Sequence, residues 1–182
     1  MVCNQNTVSC VIVGDGMVGK TCLAERFARN QFSDEYVATV AETSTGSVTV
    51  YDEKYSVNIH ENEEKSARIQ SIADVIVICY SAVDRDSFEN VKSYWVPEVR
   101  KVNKKRPVVL VATQSDIRDE NNSDHVSDTE GQNLMKLINA DYYSKCSAAT
   151  NDGIEKIFES VVLATIRNRK KKTNVLKRVF GR

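Results

Sequence analysis

The residues best suited to chemistry form a glycine-rich stretch, GDGMVGKT, at positions 14–21. The stretch fits the phosphate-binding pattern G-x-x-x-x-G-K-[ST] and follows an apolar run over 8–13 that is typical of a buried strand. Its glycines allow successive backbone N–H groups to surround a phosphate, and the Lys20 ammonium can reach the β and γ phosphates of a nucleotide. The Thr21 hydroxyl can ligate Mg²⁺ where the next helix begins. The stretch therefore predicts a nucleotide site but does not indicate the base.

A second segment indicates which base the nucleotide carries. The apolar run 108–112 leads into TQSD at 113–116. The Asp116 carboxylate can accept hydrogen bonds from the ring N–H and the exocyclic amine of guanine, whereas adenine offers no matching pair of donors. This segment resembles the guanine motif of Ras-like small GTPases, and CSAA at 146–149 looks like the loop that backs the base in that family. Three motifs in the family order favour guanine nucleotides.

Other segments resemble the Rho branch of that family, and the likeness runs from about residue 8 to residue 166. They are GDG at 14–16, the stretch 31–40, YWVPE at 94–98 and the residues around Asp116. The resemblance implies that Phe32 packs against guanine and that Thr39 ligates Mg²⁺ and senses the γ-phosphate. GTP or GDP with Mg²⁺ are the expected cofactors, Thr21 and Thr39 are the expected metal ligands, and we assign no catalytic residue. The residues expected to bind nucleotide are Gly14, Asp15, Gly16, Met17, Val18, Gly19, Lys20, Thr21, Cys22, Phe32, Tyr36, Thr39, Thr113, Gln114, Asp116, Ser147, Ala148 and Ala149.

The chain departs from the family where hydrolysis takes place. In the family, the strand after the first switch ends in Trp-Asp-Thr-Ala-Gly-Gln, whose Asp holds a metal-bound water and whose Gln orients the attacking water. Counting from Thr39 gives HENEEK at 60–65, with Glu61, Glu64 and Lys65 in place of that Asp, the Gly and the Gln. We expect slow or absent GTP hydrolysis. Residues 41–44 also lack two aromatic positions of the family's first switch, which predicts altered effectors because aromatic residues are common hot spots of interfaces.

Two other functions stay open. The first is a working GTPase whose second switch uses unorthodox residues. The second is a nucleotide-independent scaffold in which Glu63 and Glu64 repel the γ-phosphate, because like charges at close range are costly. A P-loop kinase of a small substrate is the least favoured function, since it leaves Asp116 and residues 147–148 without a role.

The element pattern indicates an α/β fold: a P-loop Ras-like domain with a mostly parallel central sheet and helices on both faces. Apolar runs at 8–13, 75–80 and 108–112 alternate with amphipathic segments, and helices are predicted over 20–30, 85–103, 127–138 and 153–170. Ligands of such folds bind at the carboxyl ends of the strands, where all three motifs fall. We expect a Ras-like domain at 1–166, with the Rho-type inserted helix mostly deleted between 116 and 126, and a basic tail at 167–182.

Composition limits the number of domains, the kinds of cysteine site and the location that we expect for the chain. A chain of 182 residues with 41% hydrophobic residues can bury one core. The five cysteines lack metal-site or C-x-x-C spacing, so we expect neither disulfides nor zinc. No signal peptide or long apolar run is present, which leads us to expect a cytoplasmic protein. We also expect a monomer. The expected partners are guanine nucleotide, protein effectors and exchange factors, with no nucleic acid. The resemblance implies roles in actin organisation, polarity or membrane traffic.

The tail carries a strong charge asymmetry. Residues 167–182 hold eight basic and no acidic residues, which leaves a charge of about −8 on the remainder. The chain ends in VFGR without a cysteine, so we expect no C-terminal prenyl group. Apolar residues at 175, 176, 179 and 180 would share one side of a helix, a pattern that suits an anionic membrane surface such as the cytoplasmic face of the plasma membrane or endomembranes. A flexible solubilising tail and a nuclear import signal are the alternatives.

Overall fold

The computed structural model describes residues 6–29, 43–61, 73–102 and 104–180, with side chains described through residue 174 except at residue 102. Strands and helices alternate along these ranges. The strands are β1 (Thr7–Val13), β2 (Thr43–Val50), β3 (Glu53–Glu61), β4 (Val75–Ser81), β5 (Val108–Thr113) and β6 (Tyr142–Lys145). The helices are α1 (Lys20–Arg29), α2 (Arg85–Asn90), α3 (Val96–Val102), α4 (Asp128–Leu137) and α5 (Ile154–Phe180), with a π-helical turn at Val91–Trp95 between α2 and α3.

The described strands form one sheet in the order β2-β3-β1-β4-β5-β6. Strand β2 runs antiparallel to β3, and the other neighbouring pairs are parallel. Tyr51 and Asp52 join β2 to β3 with φ of +52° and +62°, values typical of the primed two-residue turns that suit the twist of a hairpin. The mostly parallel α/β fold predicted from the sequence is confirmed.

Helices cover both faces of the sheet. Strands β4 and β5 are buried at every residue, which explains why they read as continuous apolar runs rather than as alternating ones. In β1, the side chains of Val8, Cys10 and Ile12 belong to the core under α1 and α5. Those of Val11 and Val13 belong to the core under α2, α3 and α4. The strand thus contributes to two hydrophobic cores, one on each face.

The predicted helix over 85–103 is interrupted. Helix α2 begins after Asp84, whose side chain accepts hydrogen bonds from the backbone N–H groups of Asp86 and Ser87. The next residues form the π-helical turn before α3 continues to Val102. Pro97, the second residue of α3, has no N–H to donate to the Ser93 carbonyl four residues earlier, so this proline disfavours a continuous α-helix at the turn.

The predicted end of the last helix at residue 170 is wrong, because α5 continues to Phe180. Residues 171–180 contain no glycine or proline, and lysine, arginine and leucine favour a helix. The boundary placed after residue 166 stays a prediction, and it falls inside this continuous helix. Among the described residues, no helix has the length and apolar character needed to cross a bilayer.

Candidate functional site

The sheet brings the three predicted motifs to one edge. Residues 14–19 follow β1 and lead into α1, residues 113–116 end β5, and residues 146–149 follow β6. These strands run parallel within the sheet, so their carboxyl ends lie side by side. Glu61 ends β3 at the same edge, where it is in register with Ile12.

The phosphate loop is closely packed against β4. Gly14 has φ +147°, and a Cβ at this position would lie 2.3 Å from the carbonyl oxygen of Cys79. Only glycine fits this approach. Farther along the loop, Met17 has φ +62° and is 77% exposed, whereas Val18 is buried.

Lys20 lies inside the loop rather than on its surface. Its side chain is 5% exposed, and its Nζ donates hydrogen bonds to the carbonyl oxygens of Gly14 at 3.1 Å and Asp15 at 2.7 Å. Within the described ranges, no carboxylate forms an ion pair with this ammonium. A buried cation held by neutral carbonyls is stabilised when an anion binds beside it. The loop therefore fits a phosphate.

Thr21 contacts the end of β3. Its Oγ1 donates a hydrogen bond of 2.6 Å to Oε2 of Glu61, a side chain that is 4% exposed. A hydroxyl and a carboxylate are both hard oxygen ligands of the kind that Mg²⁺ prefers. The donor set therefore fits the expected metal, although the described residues include no cluster of three or more His, Cys, Asp or Glu side chains suited to a metal ion.

Residues 113–116, which are predicted to bind the base, are tied to the phosphate loop. Thr113 is buried, and its Oγ1 lies 2.6 Å from the carbonyl oxygen of Val18 and 2.9 Å from that of Tyr80, so its single hydroxyl proton is shared between the two. Gln114 has left-handed backbone angles, and its Oε1 accepts a hydrogen bond from Ser81 Oγ. The Thr113 contact joins this segment to the phosphate loop, and the Gln114 contact joins it to the end of β4. Asp116 lies beyond these two residues in a 3₁₀ turn, with its side chain exposed.

The Ser-Ala loop is held from two sides. The Ser115 N–H donates to the Cys146 carbonyl at 3.1 Å, which joins this loop to residues 113–116. From α1, Arg26 donates through Nε to the Ala148 carbonyl at 2.7 Å and through Nη2 to the Ala149 carbonyl at 3.0 Å. Sequence reasoning missed Arg26, because the residues it joins lie 122 positions apart and no local pattern connects them.

A second contact missed by the sequence holds Asp15. Its Oδ1 accepts a 2.6 Å hydrogen bond from Trp95 Nε1, and its Oδ2 accepts a 2.7 Å hydrogen bond from Asn90 Nδ2. Asp15 therefore connects the phosphate loop to the π-helical turn. The segment 94–98 was noticed in the sequence, but only as a resemblance to the Rho branch.

Two thiols at the site stay protonated. Burial raises the pKa of Cys146 to about 12 and raises that of Cys79 further. Neither thiol is therefore available as a thiolate nucleophile or metal ligand near neutral pH.

Three predicted nucleotide contacts, Phe32, Tyr36 and Thr39, lie outside the described residues, as do Glu63, Glu64 and Lys65. The roles of the described site residues also stay predictions. The structure places Gly14 to Cys22, Thr113, Gln114, Asp116 and Ser147 to Ala149 at one edge of the sheet.

Comparison with known proteins agrees with this geometry. Residues 9–167 match the model of the Ras family. The chain belongs to the Ras family. A curated relative of this Ras-family chain, the Ras-like GTP-binding protein RhoL of Drosophila melanogaster, is 38% identical over 165 residues, which cover 87% of each protein.

In a Ras-family domain, this edge of the sheet is the nucleotide site. Lys20 would hold the phosphates, Thr21 the Mg²⁺ and Asp116 the base. The bound metal would offset phosphate charge. The chain's own residues shape this site in three ways. The phosphate loop closes around Lys20, and Asp15 bonds that loop to Trp95. Arg26 positions the Ser-Ala loop.

Proposed function

We propose that this Ras-family protein is a Rho-type molecular switch that binds GTP and GDP with Mg²⁺ and hydrolyses GTP slowly or not at all. The observation that carries the proposal is the buried Lys20 ammonium, which two neutral carbonyls hold inside a loop that only glycine can close at position 14. Nucleotide phosphates supply the negative charge that such a buried cation lacks.

The Rho type is supported by particular residues. Asp15 of the GDG stretch bonds to Trp95 of the YWVPE stretch, so two segments that resemble the Rho branch contact each other through hydrogen-bonding side chains. The name of the 38% identical relative, RhoL, agrees with the Rho type.

Slow hydrolysis is inferred from the second switch. Lys65 stands where the family has the glutamine that orients water, and Glu64 stands where the family has a glycine. Intrinsic hydrolysis in a Ras-like protein is already only ~10⁻⁴ s⁻¹, and loss of water positioning lowers it further. The protein would then spend most of its time in the state set by nucleotide exchange and by the cellular excess of GTP.

The test measures binding and hydrolysis separately. Fluorescent GTP and GDP are titrated against the full chain with Mg²⁺, and single-turnover phosphate release is followed. We expect both nucleotides to bind and phosphate release to be slow. Lys20→Met should weaken binding at least ~10-fold, since a charged hydrogen bond contributes about 1.5–3 kcal/mol. Lys101→Met, at an exposed position on α3, is the matched control.

Each contrary outcome has a distinct meaning. Rapid phosphate release in the wild type would show a working GTPase with an unorthodox second switch. Binding of GDP without GTP, or of neither, would place the chain among scaffolds. Equal losses of nucleotide affinity in Lys20→Met and Lys101→Met would contradict the role that we propose for Lys20.

The cellular setting of the proposal comes from the Rho resemblance. Exchange factors and effectors are the expected protein partners of a monomeric switch, and actin organisation, polarity or membrane traffic are the expected processes. We place the protein in the cytoplasm, with its basic helical end directed to the anionic cytoplasmic face of the plasma membrane or endomembranes.

A further inference from the structure

Glu61 occupies a fixed and buried place beside Thr21. It is the last residue of β3, and its pairing with Ile12 in the parallel ladder sets the position of its backbone. Its side chain is 4% exposed, and its Oε2 lies 2.6 Å from Thr21 Oγ1. The carboxylate therefore points to the hydroxyl that would hold the metal.

The length of the side chain decides whether such a carboxylate binds an ion directly or through a water molecule. The family pattern has aspartate at this place, and that aspartate acts through a metal-bound water. A carboxylate that acts through water lies roughly 2 Å farther from the ion than a direct ligand does. Glutamate is longer than aspartate by one C–C bond of ~1.5 Å. Because the ladder fixes the backbone of Glu61, this extra length extends its carboxylate toward Thr21 and covers most of the difference.

The separation of the two oxygens also suits direct ligation. Adjacent ligands of an octahedral Mg²⁺ with bonds of ~2.1 Å lie ~3 Å apart. The Thr21 and Glu61 oxygens are 2.6 Å apart, so a shift of a few tenths of an ångström would let both bind one ion. When both oxygens bind one ion, the O–H bond of the threonine points away from the neighbouring ligand, so its hydrogen bond to Glu61 would give way to the shared ion.

We infer that Glu61 is a direct ligand of the divalent ion that accompanies the nucleotide, in place of one water molecule. The inference rests on the proposed function, since nucleotide phosphates complete the ligand set. A direct carboxylate adds negative charge next to the ion, so the ion is retained at lower free metal concentration than it would be with an aspartate that acts through water.

The test counts water molecules on the ion. Mn²⁺ replaces Mg²⁺ in the GDP complex of the full chain, and line broadening of the Mn²⁺ electron paramagnetic resonance spectrum in ¹⁷O-enriched water gives the number of bound waters. Glu61→Asp and Glu61→Ala should each bind one water more than the wild type, and both should hold Mn²⁺ about tenfold less tightly. Glu53→Asp, at the other end of β3, should match the wild type.

The outcomes separate this inference from the proposed function. An equal water count in the wild type and Glu61→Asp, with GDP bound in both, would overturn direct ligation and leave the nucleotide switch standing. Glu61→Ala gives the same comparison if Glu61→Asp does not fold. Failure of the wild type to bind GDP with either ion would overturn the proposed function, and direct ligation would fall with it.

Discussion

At the scale of single residues, the site depends on contacts that permit one side chain type. Gly14 is one case, because its φ of +147° and the nearby Cys79 carbonyl both exclude a Cβ. Arg26 is another, because its guanidinium donates to two carbonyls of the Ser-Ala loop at once. Lysine presents no such planar pair of donors, so it would not replace Arg26.

Gly14→Ala should destabilise the protein. A methyl group 2.3 Å from the Cys79 carbonyl oxygen forces the loop away from β4, and the backbone angles themselves disfavour alanine. We expect the free energy of unfolding to fall by about 2 kcal/mol in urea denaturation, because strained positions of this kind cost about 1–3 kcal/mol. Gly16→Ala is the control, since no atom lies within 4 Å of its added Cβ. Equal stability of the two variants would contradict the packing argument.

Arg26→Ala should weaken guanine nucleotide binding about tenfold, because loss of two charged hydrogen bonds frees the loop that backs the base. The measurement is the dissociation rate of fluorescent GDP. Arg29→Ala changes an exposed arginine in the last turn of the same helix and should leave the rate unchanged. A normal rate in Arg26→Ala would show that the loop holds its position without α1.

At the scale of elements, side-chain contacts connect helices to the loops of the site. The π-helical turn presents Trp95 to Asp15 of the phosphate loop. On the same face of the sheet, Arg85 of α2 bonds to Glu130 of α4 at 2.6 Å and to the carbonyl oxygens of Ser123 and His125. These contacts hold α2, α4 and the loop that precedes α4 as one unit.

Asp15→Ala should loosen the phosphate loop. The change leaves the Trp95 indole N–H and the Asn90 amide without their carboxylate partner, which costs about 1–3 kcal/mol. We expect GDP to dissociate about tenfold faster. Trp95 is the only tryptophan, so its emission should shift to longer wavelength as solvent reaches the indole. Asp86→Ala, on α2 away from the loop, is the control, and an unchanged emission in Asp15→Ala would contradict the contact.

The Arg85–Glu130 pair predicts acid sensitivity. The Arg85 guanidinium, followed by the Ser127 N–H, lowers the pKa of Glu130 from its ordinary value of 4.5 to about 2. A carboxyl group with a lowered folded-state pKa stabilises the protein above pH 4.5, and that contribution is lost as the pH falls toward 2. Because 41% of the Glu130 side chain is exposed, solvent screening limits the contribution to at most about 1 kcal/mol.

Glu130→Gln tests this contribution, since glutamine keeps the capping box with Ser127 but removes the ion pair. We expect a smaller free energy of unfolding at pH 7 and a smaller loss between pH 4.5 and pH 2 than in the wild type. Glu155→Gln, at an exposed position of α5, should follow the wild-type profile. If the free energy of unfolding changes with pH in the same way in the wild type and in Glu130→Gln, Glu130 does not cause the acid sensitivity.

At the scale of the whole molecule, a long basic helix ends a body of opposite charge. Helix α5 is continuous over 27 residues, and Arg169 within it donates to the Thr7 carbonyl at 2.9 Å and to Asp74 at 3.0 Å. These bonds fasten the helix to the start of β1, whereas Lys171 and Lys172 are exposed beyond them. The net charge of the chain is zero, but positive charge is concentrated in residues 167–182 and the remainder is net negative.

This separation predicts binding to anionic membranes. Vesicles of phosphatidylcholine with phosphatidylserine should sediment the protein, and vesicles of phosphatidylcholine alone should not. Reversal of charge at Lys171 and Lys172 should lower binding at least tenfold, because each basic residue near such a surface contributes about 1 kcal/mol. Reversal at Lys54 and Lys104, two exposed positions on the body, is the control. Equal binding by both double variants would favour a solubilising tail.

The sequence by itself indicated the α/β class and a Ras-like domain, and both are confirmed, because they depend on local patterns: glycine spacing, an acidic residue after a strand, and apolar runs that alternate with amphipathic ones. The phosphate and guanine roles of residues 14–21 and 113–116 stay predictions from the same patterns. The sequence placed α1 and α4 within a residue or two for the same reason. The end of α5 was misplaced, because ten further residues without a breaker carry the helix on.

Only the tertiary structure decided which distant side chains complete the site. Arg26 reaches a loop 122 residues away, Trp95 and Asn90 meet Asp15 across 80 and 75 residues, and Glu61 meets Thr21 across 40. Such pairs leave no periodic trace in the chain, because each depends on strand order and register. The parallel order β3-β1-β4 brings Glu61, Thr21 and the phosphate loop together, and this order is set by the packing of both faces of the sheet.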